Sequence, residues 1–272
     1  MKYKALIIIL LYIHNLNAIA EQTEITFGSV AQDTPSVMHR RLLPLTNYLS
    51  RALNRPVSLK LSSNMSGAIS EIVTGEVDLA YLTPVAYTQT YDDSGSQIVA
   101  KMISKGKASF RLMIVVKENS PIKTIKDLVG KSFAFGDPAA LLQRATVVGA
   151  GMSLKKLGKY EFIGHYDNIA RAVARGFFDA GILKDSKALK WQEKGLRIIY
   201  SSPYLPPYNI TASHKVTSKL LEEIKQAFFK LDISNDKDKS IIKSMGKKYD
   251  GFVVTSDSEY DVVRNLIKPF KK

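Results

Sequence analysis

The stretch 135-FGDPAALLQRATVV-148 holds residues whose types and spacing suit anion chemistry. Gly136, Asp137 and Pro138 make a turn that feeds the first turn of a helix. The first N–H groups of a helix lack intrahelical partners, and the helix dipole favours negative charge there. The side chains are unusual for the task. Ala139, Ala140 and Leu141 bring backbone donors and no hydroxyl. Arg144, in the second turn, has a guanidinium suited to a bidentate grip on a carboxylate or phosphate. Pointing to solvent is the alternative for it. Asp is also a good helix cap and Pro a common helix starter, so a plain βα connection stays open.

Catalytic chemistry has little to work with. The four histidines are scattered, with His14 in the leader, and there is no HExxH, GxSxG or P-loop motif. Ser and Asp are plentiful, yet no spacing aligns a nucleophile with a base. Metal ligands are not clustered, and the lack of cysteine removes thiolate sites. The expectation is a binding protein, not an enzyme, with no metal or cofactor.

The first twenty residues, MKYKALIIILLYIHNLNAIA, read as a secretory signal peptide. Lys2 and Lys4 precede the apolar run Ala5–Ile13, and Ala18-Ile19-Ala20 suits cleavage before Glu21. The apolar run is far short of the roughly 20 residues needed to span a bilayer. No Cys stands at the cleavage point for a lipid anchor. The expected location is the periplasm, as a soluble protein. The cysteine-free composition fits an oxidising compartment and leaves stability to core packing.

At 272 residues, 45% apolar and 24% charged, the chain can bury the core of one large domain or two small lobes. Disordered and fibrous classes fit poorly. The formal charge of +14 falls to +12 once Lys2 and Lys4 leave with the leader. Such a balance suits nucleic acid, anionic lipid or an acidic solute. The lysines stand mostly singly or in pairs, with no arginine-rich arm, and export argues against nucleic acid.

These residues must be positioned by alternating elements. ITFGSV (25–30) reads as a strand, and Pro35 opens a helix with a kink or restart at Pro44. VSLKLS (57–62) alternates as a strand. A helix capped near Asn64 and stopped at Gly75 follows, then the strand DLAYLT (78–83). This order predicts a mostly parallel sheet covered by helices. A second series starts with the apolar strand from Phe110 and includes a helix over 139–151, a helix over 168–176, and strands at 178–185 and 196–202. Helices from Ser218 and near EYDVVRNLI end the chain. Two α/β units with a change near Phe110 are expected.

Several stretches together resemble the phosphate, phosphite and phosphonate substrate-binding proteins of ABC importers. They are DLAYLTPVAY, SPIKTIKDLVGKSFAFGDP, HYDNIARAVARGFFDAG, SPYLPPYNITA and MGKKYDGFVVTSDSEYDVVR. The resemblance implies an α/β type II periplasmic-binding-protein fold. Residues 21–109 and 209–272 would form lobe 1 and 110–208 lobe 2, with crossings near Ser109–Met113 and Ser202–Tyr208. It also implies a compact, anionic solute held between the lobes and delivered to an ABC permease. Presentation to a membrane sensor is the alternative partner.

Typical members follow Gly-Asp-Pro with a Ser-Thr-Ser-Gly run whose hydroxyls grip the phosphonate; here 139-AALL-142 keeps only the backbone. The resemblance further points to Tyr81, Thr83 and Tyr87 at the end of a lobe 1 strand, Ser62 and Ser63 before a helix, and Gln32 after the first strand. In lobe 2 it points to His165, Tyr166 and Asp167. Tyr166 stands where phosphonate binders often carry an acid, which argues against an aminophosphonate.

Overall fold

A computed structural model of the chain describes residues 23–29 and 33–271, so the leader and Gln32 lie outside the described residues. The chain opens with β1 (Ile25–Ser29), α1 (Pro35–Leu53), β2 (Val57–Leu61), α2 (Met65–Thr74), β3 (Leu79–Leu82), α3 (Pro84–Ser94) and β4 (Gln97–Ser104). It then builds β5 (Leu112–Lys117), β6 (Ser132–Phe135), α4 (Leu141–Gly149), β7 (Lys159–Phe162), α5 (Tyr166–Ala174), β8 (Ala180–Lys184), α6 (Asp185–Gln192) and β9 (Leu196–Ser201). It ends with β10 (Asn209–Ala212), α7 (Ser218–Phe229), α8 (Asp236–Ser244), β11 (Tyr249–Val253) and α9 (Asp261–Ile267).

The strands form two sheets. One has the order β11-β4-β10-β3-β1-β2 and the other β7-β6-β8-β5-β9. The first and last thirds of the chain therefore share a lobe, and the middle third makes the other. Both sheets are mixed, which corrects the expectation of mostly parallel pairing. β1, β2 and β3 are parallel, as their helical crossovers require, but β10 runs antiparallel to β3 and β4. Its first residue, Asn209, pairs with Leu82 at the end of β3, because the returning chain enters at the lobe junction.

The core follows from spacing. Met38, Leu42, Leu45, Leu49 and Leu53 recur at three or four residues along α1 and are buried with Ile25 and Phe27. α1 continues through Pro44 as one helix instead of restarting. Buried Leu42 and Leu45 flank the proline and seat both halves on the same core. α2 is capped as its sequence suggests, with Asn64 accepting from the Gly67 N–H at 2.8 Å and Gly75 left-handed at φ 69°.

Two crossings join the lobes, and they pair with each other. The Phe110 N–H donates to the Leu205 carbonyl at 3.0 Å, and the Leu205 N–H to the Phe110 carbonyl at 2.8 Å. A third tie is apolar: Val263 and Ile267 of α9 pack with Ala145 of α4, next to Val85 of α3. Two α/β lobes on paired crossings, with the strand ends facing the junction, make this a type II periplasmic-binding-protein fold.

Two outcomes test this packing. A Cβ at Gly181 would lie 2.5 Å from Ile169 Cγ2 and 3.3 Å from the Ala134 carbonyl oxygen. Gly181→Ala is expected to destabilise by ~1–3 kcal/mol in urea unfolding, and an unchanged midpoint would refute the packing argument. Asp250 is held below the ordinary carboxylate range by the Lys243 ammonium and then by the Gly106 N–H. A depressed folded pKa contributes stability that is present above the unfolded value of about 3.9 and lost as pH falls below it. Asp250→Asn should therefore flatten the acid limb of a stability-versus-pH curve. An equally steep limb in the variant would count against this.

Candidate functional site

Strand ends define the lobe junction. β3 ends there beside the start of β10, and β8 ends there with Lys184 paired to Leu112. Between the lobes lies a cavity of about 160 Å³. Thr83, Pro84 and Val85 line it from lobe 1, and Ala139, Ala140, Leu141, Leu142, Gln143 and Tyr166 from lobe 2. Phe110, Leu112 and Tyr208 close it from the crossings and their flanks. Larger hollows exist, such as one of about 750 Å³ between the end of α1 and α7, but that one is a surface groove within lobe 1. Another hollow, of about 510 Å³ beside α3 and the chain end, meets lobe 2 only through Leu141, whereas the smaller cavity draws several walls from each lobe and from the crossings. Its size is below the roughly 300–1,000 Å³ of drug-sized sites and suits a compact solute.

The start of α4 differs from the expected oxyanion clamp. The Asp137 carboxylate accepts from the Ala139 N–H at 2.7 Å, and the Asp137 carbonyl from the Ala140 N–H at 2.9 Å. The Leu141 N–H donates to the Ala139 carbonyl at 2.9 Å. The three backbone donors expected to meet a solute are thus occupied within the loop, and one of them already holds an anion. Ala139, Ala140 and Leu141 meet the cavity as apolar walls.

Arg144 is turned back onto its own lobe. Its Nη2 donates to the Pro138 carbonyl at 2.8 Å, and the guanidinium carbon stands 5.5 Å from the Phe162 ring centroid. The neighbouring Gln143 faces the cavity instead. It is buried, and its Oε1 accepts from the Gly136 N–H at 2.7 Å. Glycine is required at 136, because a Cβ there would lie 2.8 Å from both Gln143 Nε2 and the Gly164 carbonyl oxygen. Tyr166 lines the same cavity, and burial pushes its phenol pKa up to about 12. With its oxygen spent on Gly136, the Gln143 amide has N–H donors to offer the cavity, and the protonated phenol of Tyr166 offers another.

Tyr208 lies in SPYLPPYNITA, where no neighbouring residue type marks it as a site residue. It stacks on Tyr81 with ring centroids 5.2 Å apart, and burial raises its pKa, so its phenol is a donor too. Tyr81 is buried and supports this pair, with its hydroxyl 2.7 Å from that of Tyr249. Thr83 caps α3 by accepting from the Ala86 N–H at 3.1 Å and also lines the cavity.

The remaining candidates have other contacts. Tyr87 is fully buried and donates to Asp257 at 2.7 Å, with Tyr260 edge-on at 4.5 Å. The Ser62 hydroxyl donates to Glu71, and exposed Ser63 meets the Asn64 amide at 3.3 Å. His165 is exposed at the start of α5 and makes no side-chain cap. Asp167 is paired with Lys187 of α6 at 2.7 Å, and that bond lowers its pKa. Of the sequence candidates, Thr83, Ala139, Ala140, Leu141 and Tyr166 meet at the cavity. Gln143, Tyr208 and Phe110 join them unannounced.

Comparison with known proteins gives a consistent picture. Residues 27–260 match the family described as ABC transporter, phosphonate, periplasmic substrate-binding protein. The chain is 22% identical to the phosphate-import protein PhnD of Mycolicibacterium smegmatis, covering 89% of this chain and 84% of that one. It is 23% identical to the phosphonates-binding periplasmic protein of Escherichia coli, covering 91% and 77%. The structure of PhnD1 from Prochlorococcus marinus in complex with methylphosphonate superposes with a TM-score of 0.68 at 21% identity, covering 91% and 98%, which shows a shared fold. With nearly the whole described chain matched, the protein belongs to the family of periplasmic substrate-binding proteins of phosphonate ABC transporters.

Proposed function

We propose that the chain binds a compact oxyanion between its lobes in the periplasm, without chemical change, and hands it to an ABC permease. The observation that carries this reading is the interlobe cavity, which draws its walls from both lobes and from the crossings. A solute there contacts both halves at once and stabilises their closed arrangement. Relatives named for phosphate and phosphonate support an oxyanion as the solute class.

The grip differs from a hydroxyl-rich helix start. The polar groups lining the cavity are neutral: the phenols of Tyr166 and Tyr208, the Gln143 amide and the Thr83 hydroxyl. The two phenols stay protonated at neutral pH and donate to an anion. The apolar walls from Ala139 to Leu142 favour a solute with a small hydrocarbon substituent over a fully hydrated ion. A permease partner follows from the family. Presentation to a membrane sensor would leave the same cavity in use, and a sensor that responds in permease-free cells would replace the importer reading.

Calorimetry with methylphosphonate, inorganic phosphate and methanesulfonate tests the proposal. Heat from at least one of them is expected, and silence from all three would overturn the oxyanion reading. Tyr166→Phe removes one hydrogen bond to a charged group, worth ~1.5–3 kcal/mol, and should weaken binding by roughly tenfold or more. Arg144→Ala should change affinity by less than about threefold, or under ~0.7 kcal/mol. A large loss with Arg144→Ala and none with Tyr166→Phe would reverse the assignment of the two residues.

A further inference from the structure

Beside the cavity the lobes gather cations that the cavity walls do not account for. Lys184 ends β8 at the edge of lobe 2 that faces lobe 1. Its Nζ stands 4.7 Å from the centroid of the Phe110 ring, and Phe110 lines the cavity. Lys105 and Lys248 come from lobe 1. The Lys105 N–H donates to the Lys248 carbonyl at 3.1 Å, which sets the two side by side where β4 ends and β11 begins. Lys248 Nζ lies 5.0 Å from the Tyr249 ring centroid.

None of the three ammonium groups has an ion-pair partner among the described residues. The acids beside them in sequence are already bound. Asp185 accepts from the Arg111 N–H at 3.2 Å and the Ser186 N–H at 2.7 Å. Asp250 is held by Lys243 at 2.9 Å and by the Gly106 N–H at 2.7 Å. Burial lowers the Lys184 pKa, the charges of Lys248 and Lys105 lower it further, and only Asp185 opposes them. Gathering like charges in a partly desolvated junction costs free energy, which Asp185 and the ring faces of Phe110 and Tyr249 offset only in part.

The cluster belongs to the same cleft as the cavity. From lobe 2, the Lys184 ammonium sits over the ring of Phe110, which is itself a cavity wall. From lobe 1, Lys248 sits beside Tyr249, whose hydroxyl is 2.7 Å from that of Tyr81, and Tyr81 stacks on the cavity wall Tyr208. The lysines therefore flank the neutral donors from both lobes.

We propose that Lys184, faced by Lys105 and Lys248 across the junction, is a cationic subsite for the charged group of the solute. It selects compact oxyanions that carry no ammonium group. It also couples charge to closure: the lysines repel across the open junction, and a bridging anion turns that repulsion into attraction. This inference rests on the interlobe cavity being the solute site.

The test uses the purified protein, with methylphosphonate, inorganic phosphate and aminomethylphosphonate as calorimetric probes. The unsubstituted protein should prefer methylphosphonate to aminomethylphosphonate. Lys184→Met should weaken methylphosphonate binding by about tenfold or more, while Lys184→Arg stays within about threefold. Lys248→Met, at an exposed site that tolerates substitution, should lose about threefold or more and decides the matter if Lys184→Met does not fold. Lys184→Glu should shift preference towards aminomethylphosphonate. Unchanged affinity in both Lys184→Met and Lys248→Met, with the parent protein binding normally, would overturn the subsite and leave the oxyanion reading intact. A parent protein that binds none of the three probes would overturn both.

Discussion

The pair of hydrogen bonds between Phe110 and Leu205 is the constraint on which the rest of the structure depends. Each lobe closes its own core, so the lobes need only be tethered, and the tether decides which surfaces meet. By pairing the two crossings, these bonds fix where the chain leaves lobe 1 to enter β5 and where it returns as β10. The return point puts Asn209 beside Leu82 and makes the sheet of lobe 1 mixed. It also brings Phe110 and Tyr208 to the floor of the cavity. The crossings are thus both hinge and binding surface, so a solute touching them touches the axis about which the lobes turn.

Electrostatics sharpen what the cavity recognises. A helix start attracts an anion, and here α4 has one of its own in Asp137. That carboxylate pre-fills the place a solute oxyanion would take and rigidifies the loop. Positive charge appears instead at Lys184, at the end of the neighbouring strand β8. The change moves recognition from backbone donors, which read geometry, to an ammonium group, which reads charge. Neutral phenols between these two regions supply direction without adding to the charge balance.

How much of this the sequence revealed depended on whether a signal was local. The caps at Asn64 and Gly75, the apolar stripe of α1 and the apolar run of β5 are local patterns, and they were legible. β10 and β11 were not. β10 is only NITA, and β11 carries Gly251 at φ 143° and begins inside GKKYDG, which reads as a turn. Both become strands because neighbouring strands offer edges to pair with, a tertiary effect that no window of residues contains. The same holds at the site. The alanines and leucines of 139–142 declared the missing hydroxyls, but the capture of their N–H groups by Asp137 depends on loop geometry. Arg144 and Gln143 are adjacent in sequence, and only the direction of each side chain gives one to Phe162 and the other to the cavity.

The ties of α9 to the two lobes are of different physical kinds, and this bears on how the junction moves. Towards lobe 1 the helix is held by directional bonds. Arg264 reaches Asp92 of α3 at 3.7 Å and also holds Asp257, in the turn before α9, at 2.5 Å. Tyr87, buried in α3, donates to the same Asp257 at 2.7 Å. Towards lobe 2 the contact is apolar, through Ala145, Val263 and Ile267, with Leu266 beside Gly149. Ionic and hydrogen-bonded contacts are lost when partners shift by an ångström or two, whereas apolar contact depends mainly on buried area. Motion is therefore expected where α9 slides on α4, while α3 and α9 travel together with lobe 1. Since α3 and α4 both line the cavity, such sliding changes its width directly, and the neutral walls and the lysines close on the solute in one movement.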